Sequence, residues 1–180
     1  MNTVFELIGM GSKKYGGFER YIVEEARQLR DKGCKLVVIF DREPLTKGYI
    51  EDLNSYGAEY IILPQNSVKK FIKGFIKLLK KYQPNVVHTN FSSNVFIALP
   101  LARLYGVKRT IATEHCFPVL NSLKLRLLYQ WISFSSNNII AVSKRSCESI
   151  KHGIFFRKNR VNALYLGIKD FHYDKMESTS

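Results

Sequence analysis

Gly9-Met10-Gly11-Ser12-Lys13-Lys14-Tyr15-Gly16-Gly17-Phe18-Glu19-Arg20 is the stretch on which the reading of this chain turns. It joins a strand-like run, residues 3–8, to an amphipathic helix. In that helix Phe18, Tyr21, Ile22, Ala26 and Leu29 recur at helical spacing until Gly33 stops it. A side-chain-poor backbone at a helix N-terminus suits phosphate, because unpaired N–H groups and the positive end of the helix dipole both face the anion. Lys13 and Lys14 add two mobile cations at the mouth of the loop.

Outward from the loop, strand and helix patterns alternate to the end of the chain. Strands are expected at residues 35–40, 59–63, 86–89, 109–113, 138–142 and 161–166, and helices at 45–56, 68–82, 120–134 and 143–151. A further helix capped by Ser92 or Ser93 runs toward Tyr105. Repeated strand–helix units imply an α/β, three-layer domain with a mostly parallel sheet of about seven strands and right-handed crossovers. Ligands of such sheets bind beyond the C-terminal ends of the strands. That rule selects residues 9–17, 41–44, 88–91, 114–117 and 143–144 as the candidate rim.

The chain has 180 residues, enough for one well-buried domain and short for two. No apolar run approaches the ~20 residues of a membrane span, and the start of the chain does not read as a signal peptide. Cys34, Cys116 and Cys147 show neither metal spacing nor a disulfide framework, which fits a reducing cytoplasm. The formal net charge of +13 calls for an anionic partner: phosphorylated ligands, acidic lipid or nucleic acid.

As a dinucleotide fingerprint the loop begins well, with Gly9 and Gly11, and then fails, because Lys14 stands where the third glycine belongs. Asp41, at the end of the second strand, keeps a ribose-binding acid available, so a non-catalytic nucleotide- or dinucleotide-binding module stays open. The Walker A pattern is absent. A glycine-rich turn that only lets helix and sheet approach closely is the other reading of the loop.

The order of motifs adds to this. Gly16-Gly17-Phe18-Glu19-Arg20 opens the helix that ends at Gly33; Gln83-Pro84-Asn85-Val86-Val87-His88-Thr89-Asn90, Thr113-Glu114-His115, Ile139-Ile140-Ala141-Val142-Ser143 and Tyr165-Leu166-Gly167-Ile168 follow. In this order the chain, from Thr3 to about Phe171, resembles the N-terminal domain of the family-four retaining glycosyltransferases of the GT-B fold. The resemblance implies a Rossmann-like, acceptor-side domain over residues 1–171 and a hydrophilic tail over 172–180, with the C-terminal donor-binding domain lying beyond the chain. It implies that Gly16 and Gly17 reach the donor diphosphate, that His115 acts beside the transferred sugar, and that Lys13, Lys14, His88 and Asn90 lie on the acceptor side. His88 could equally point into the sheet, and Glu19 and Arg20, which match a family pair, could be structural in a first helical turn. It further implies a nucleotide-diphosphate sugar as donor and a glycan or lipid-linked acceptor, in cell-surface polysaccharide or glycolipid synthesis, with no metal and no cofactor expected. The family's usual Asn-Gly-Ile-Asp hinge reads Leu166-Gly167-Ile168-Lys169 here, which reverses a charge. Such a half should not transfer sugar alone; a longer protein cut at the hinge, a separate donor-binding chain and a truncated product all remain open.

Val68–Tyr82 carries an apolar stripe and six lysines. It reads either as a sheet-packing helix with a solvated lysine face or as a dock for an anionic membrane. The resemblance adds weight to the second, as a peripheral contact at the cytoplasmic face, to which residues 123–132, another apolar and basic helix, could contribute. Nucleic acid is not expected, since no recognition motif or aromatic platform accompanies the charge.

Overall fold

The computed structural model describes residues 2–9, 14–90 and 94–165, apart from the side chain of Val95. Seven strands, β1 (Asn2–Ile8), β2 (Cys34–Phe40), β3 (Glu59–Ile62), β4 (Val86–Asn90), β5 (Arg109–Glu114), β6 (Asn138–Ala141) and β7 (Val161–Ala163), form one sheet in the order β3-β2-β1-β4-β5-β6-β7. Every pairing among the described residues is parallel, as the repeated strand–helix units imply. Among the described residues six α-helices connect the strands: α1 (Gly17–Asp31), α2 (Lys47–Ser55), α3 (Val68–Tyr82), α4 (Val95–Leu104), α5 (Leu123–Ser135) and α6 (Lys144–Gly153).

Period-2 alternation sends the two faces of each strand into two cores. Phe5, Leu7, Val37, Ile39 and Val87 pack against the α3 residues Phe71, Phe75 and Leu79 and against α4 to α6. Val4, Ile8, Val38 and Phe40 pack against Ile22 and Ala26 of α1 and Tyr49 and Leu53 of α2. The chain leaves β1 toward β3 on one side and returns to β4 on the other, so the order of strands reverses between β1 and β4. In sheets of this kind the ligand crevice opens at that point, beyond the C-terminal strand ends.

Most element ends fall where expected, and the exceptions have local causes. Helix α2 starts at Lys47 because Thr46 is extended, and Leu45 is left exposed. Helix α5 starts at Leu123, where the Ser122 hydroxyl accepts from Leu125 N–H at 3.3 Å, three residues later than the apolar pattern suggests. Gly33, at φ 66°, ends α1 in the left-handed conformation that a glycine adopts without strain. Ser92 and Ser93, and residues 166–180 with the hinge and tail, lie outside the described residues. Among the described residues no helix is long and apolar enough to cross a membrane.

One feature of the helical layer has no counterpart in simple periodicity. Pro100 sits inside α4 and has no N–H to give the carbonyl four residues back, that of Phe96. The indole N–H of Trp131 on α5 donates to that carbonyl at 2.8 Å. The two helices are thus joined through a backbone group that the proline freed.

Candidate functional site

Among the described strands, the buried polar groups on the α1-facing side of the sheet gather at the β1–β4–β5 junction. Register places Glu6 of β1 beside His88 of β4, and Asn90 of β4 beside Thr113 of β5. Glu6, His88 and Asn90 are buried, at 0%, 5% and 0% exposure. Buried polar groups need partners, and these supply one another. Glu6 Oε1 lies 2.7 Å from His88 Nδ1, and Glu6 Oε2 accepts from Asn90 Nδ2 at 2.6 Å. His88 Nε2 lies 2.6 Å from Thr113 Oγ1, and Asn90 Oδ1 lies 2.8 Å from His115 Nε2.

Each bond follows from the inventory of donors. Burial pushes the Glu6 carboxyl well above its ordinary range, against the opposing effect of the Asn90 hydrogen bond. Burial likewise lowers the His88 imidazole to about 4. The 2.7 Å contact is therefore a hydrogen bond between neutral partners, the carboxyl O–H donating to Nδ1 and leaving Nε2–H to donate to Thr113. The Asn90 amide donates to Glu6 through Nδ2, so its oxygen faces His115 and accepts from Nε2–H. Burial, then the neighbouring His88, lowers His115 to about 4, so at neutral pH it is an uncharged imidazole with its lone pair on Nδ1.

The glycine loop reaches the same place. The ring of Phe18, in the first turn of α1, meets the His115 ring edge-to-face at 5.2 Å between centroids. Gly16 caps α1 in an extended conformation, and its N–H donates to Glu19 Oε2 at 3.0 Å. Glu19 is thereby structural, a half capping box that holds the loop to the helix. Upstream, the Tyr15 hydroxyl donates to Asp52 of α2, which ties the loop to the second helix. A Cβ on Gly16 would come within 3.3 Å of the Glu19 carboxylate, whereas a Cβ on Gly17 would meet no atom within 4 Å. The chain itself gives Gly17 no steric reason to be glycine. Opposite, Glu114 steadies the turn that presents His115, accepting from Cys116 N–H at 3.0 Å and from the Tyr129 hydroxyl.

The structure thus unites Gly16, Gly17, Asn90 and His115 at the β1–β4 crevice. Lys14 is exposed near the loop; Lys13 lies outside the described residues. Direct acceptor contact, expected for His88 and Asn90, would require both buried side chains to leave the partners just described. Their place is beneath His115. Sequence reasoning gave Glu6, Glu25 and Thr113 no role at the site. Its available signal was a carboxylate inside a strand whose two faces should both be covered, since such a residue must be paired or neutral.

Among the described residues one group of side chains comes close to a metal-ligand set, Glu6, Glu25 and His88, with ligand atoms within 4.8 Å of one another. Its chemistry argues against a cation. Both His88 nitrogens and both Glu6 oxygens are already engaged, and burial keeps the carboxyls protonated. Asp41 at the end of β2, the acid that a dinucleotide would use, is paired with Arg42 at 2.9 Å.

Glu25 has a consequence for stability. It projects from α1 toward Glu6, and its Oε2 is shut from solvent without a hydrogen-bond partner. Burial, then Glu6, raises its carboxyl from 4.5 to about 8. The folded chain therefore holds a proton that the unfolded chain releases near 4.5, so this group's contribution is full below about 4.5 and is lost as pH rises to about 8. Glu25→Leu should stabilise the protein by ~1–4 kcal/mol at pH ~9 and by much less near pH 5. Urea unfolding at the two pH values checks this; a gap that does not widen with pH would refute the burial argument.

The sequence profile described as Glycosyltransferase Family 4 matches residues 15–170. The chain belongs to glycosyltransferase family 4. No curated protein matches it by sequence. Among solved structures it is similar to HepE of Anabaena in complex with UDP, at 13% identity and a TM-score of 0.66, over 93% of this chain and 44% of HepE. It is also similar to a glycosyltransferase from Rickettsia africae, at 19% identity and a TM-score of 0.62, over 91% of this chain and 42% of that one. The lipopolysaccharide outer core galactosyltransferase WaaB, in its apo form, matches at 14% identity and a TM-score of 0.63, over 90% of this chain and 45% of WaaB. The family-4 chain thus spans less than half the length of these proteins, and the shared part is the N-terminal, Rossmann-like half of a GT-B fold. Nucleotide-sugar epimerases share that fold too: the chain matches the UDP-GlcNAc 2-epimerase of Methanocaldococcus jannaschii with a TM-score of 0.55.

Proposed function

We propose that this family-4 chain is the acceptor-side half of a glycosyltransferase that moves a sugar, with retention, from a nucleotide-diphosphate sugar to a glycan or lipid-linked acceptor. The observation that carries the proposal is the meeting of the Gly16–Gly17 helix terminus with a neutral, oriented His115 at the β1–β4 crevice. The departing nucleoside diphosphate gathers negative charge as the glycosidic bond breaks. First-turn amides of α1 supply fixed dipoles for that charge without reorganising. HepE has been solved with UDP-glucose, which makes a uridine nucleotide the first donor to try. His115, uncharged, offers a hydrogen bond to a sugar hydroxyl rather than a proton to the leaving group. Lys13 and Lys14 are assigned to acceptor binding, and His88 acts through the cluster under His115.

The donor half comes from the same protein or from a separate chain, and the reaction needs no resident metal. Its setting is the cytoplasmic face of the membrane, in surface polysaccharide or glycolipid synthesis. The test is transfer from a panel of nucleotide-diphosphate sugars to membrane-derived acceptors by the chain together with its donor half. Product with the donor's anomeric configuration, formed equally in EDTA, is the expected result. Failure with every donor, or tight NAD binding by the chain, would return the reading to a non-catalytic nucleotide module.

A further inference from the structure

Helix α5 and the turn after α6 build an exposed surface that carries none of the residues assigned to sugar transfer. Leu123, Leu127, Trp131 and Phe134 recur at i, i+4, i+8 and i+11, one stripe of the helix, opposite Ile132 in the core. They are between 42% and 64% exposed. Phe155 and Phe156 extend the stripe, with the Phe156 ring 6.5 Å from that of Phe134.

The turn is held in this arrangement. Gln130 Oε1 accepts from Phe155 N–H at 2.8 Å and from Phe156 N–H at 2.9 Å, so one buried amide fixes both aromatic residues. Arg157 adopts a left-handed backbone, at φ 61°, which costs a non-glycine residue conformational energy. Its side chain donates to Phe134 O at 3.2 Å and lies 4.9 Å from the Phe134 ring. Arg126 donates to Gly153 O at 2.9 Å and lies 4.7 Å from the Phe155 ring. Cations are thus interleaved with the exposed rings. Residues 115–160 contain eight Lys or Arg and a single acid, Glu148, which is on α6.

We propose that this surface docks on an anionic membrane, with the α5 stripe and the Phe155–Phe156 turn entering the headgroup boundary. Apolar and aromatic groups beside unopposed cations are what an acidic bilayer surface recognises. A second copy would set like charges against each other across the contact. Helix α3 is the other basic candidate, but its stripe of Phe71, Phe75 and Leu79 is spent on the core, at 0–2% exposure. It keeps lysines for attraction and little to insert. Both helices lie in the layer where α4 packs between them, so α3 can attract while α5 inserts.

Trp131, the chain's single tryptophan, lies on the stripe and reports directly. The chain is mixed with vesicles of phosphatidylglycerol and phosphatidylcholine, and with phosphatidylcholine alone. Expected are a blue shift of Trp131 emission and quenching by brominated lipid with the acidic vesicles only. Phe155→Ser with Phe156→Ser should weaken partitioning about tenfold or more while the circular dichroism spectrum is unchanged. Co-sedimentation without a Trp131 response would place the contact on another face, such as α3, and overturn the proposal. A shift that grows with protein concentration in the absence of lipid would assign the surface to a second copy; no binding at all would also overturn it. None of these outcomes depends on sugar transfer.

Discussion

Gly17→Val should cut sugar transfer by about 10²–10³-fold and leave folding stability nearly unchanged, within ~0.5 kcal/mol. The two halves of this expectation come from different facts. Gly17 is exposed at the first position of α1, and a Cβ there meets no atom of the chain within 4 Å. Valine therefore fills empty space as far as the fold is concerned. That space is the approach to the first-turn amides, and two methyl groups would hold a diphosphate away from them. If those amides act on charge that develops as the bond breaks, kcat falls more than KM rises. Gly17→Ala should lie between wild type and valine. Gly16→Ala is a poorer probe, because its Cβ would press on the Glu19 carboxylate that caps the helix. Transfer assays paired with thermal melts separate the outcomes. Undiminished transfer by Gly17→Val would remove the diphosphate role from this loop.

The difference between the two glycines shows what the sequence could and could not carry. That Gly16 and Gly17 begin a helix at a strand end is readable from the apolar spacing of Phe18, Ile22 and Ala26 and from the stop at Gly33. Strand order is not, because alternation says which residues are buried and not which strands are neighbours. Only the return of the chain to β4 beside β1 brings Asn90 next to the loop. The same limit hid the partner of Trp131: Pro100 announces an orphaned carbonyl at Phe96, but nothing local says that α5 supplies the donor. His88 was legible as a strand-end histidine with two possible directions. The choice rests on Glu6, eighty-two positions away in sequence and 2.7 Å away in space. A helix such as α3 was legible in full, since its apolar stripe and lysine face follow from local period alone.

Asn90→Leu tests the cluster where that long-range information resides. The substitution keeps the approximate volume and removes both polar ends of the amide, so Glu6 Oε2 loses a donor and His115 Nε2–H loses its acceptor. Stability should fall by ~1–3 kcal/mol, the ordinary cost of leaving a buried polar group unsatisfied. A merely structural role would end there. If Asn90 orients His115, the imidazole ¹⁵N shifts should move from a pure Nε2–H tautomer toward a mixture. Transfer should fall about 10–100-fold, mainly in kcat, because a misdirected lone pair spoils the geometry of the transition state. Asn90→Asp separates orientation from the amide itself. In this fully buried place, where burial already keeps Glu6 neutral, the aspartic acid stays protonated: its O–H donates to Glu6 Oε2 and its carbonyl oxygen accepts from His115 Nε2–H, so the tautomer survives. The His115 shifts should stay near their wild-type positions and transfer at neutral pH should largely return. Thr113→Val touches only the far side of His88 and should leave the His115 shifts in place. Unaltered His115 shifts in Asn90→Leu would mean that the histidine is oriented by something other than the amide beneath it.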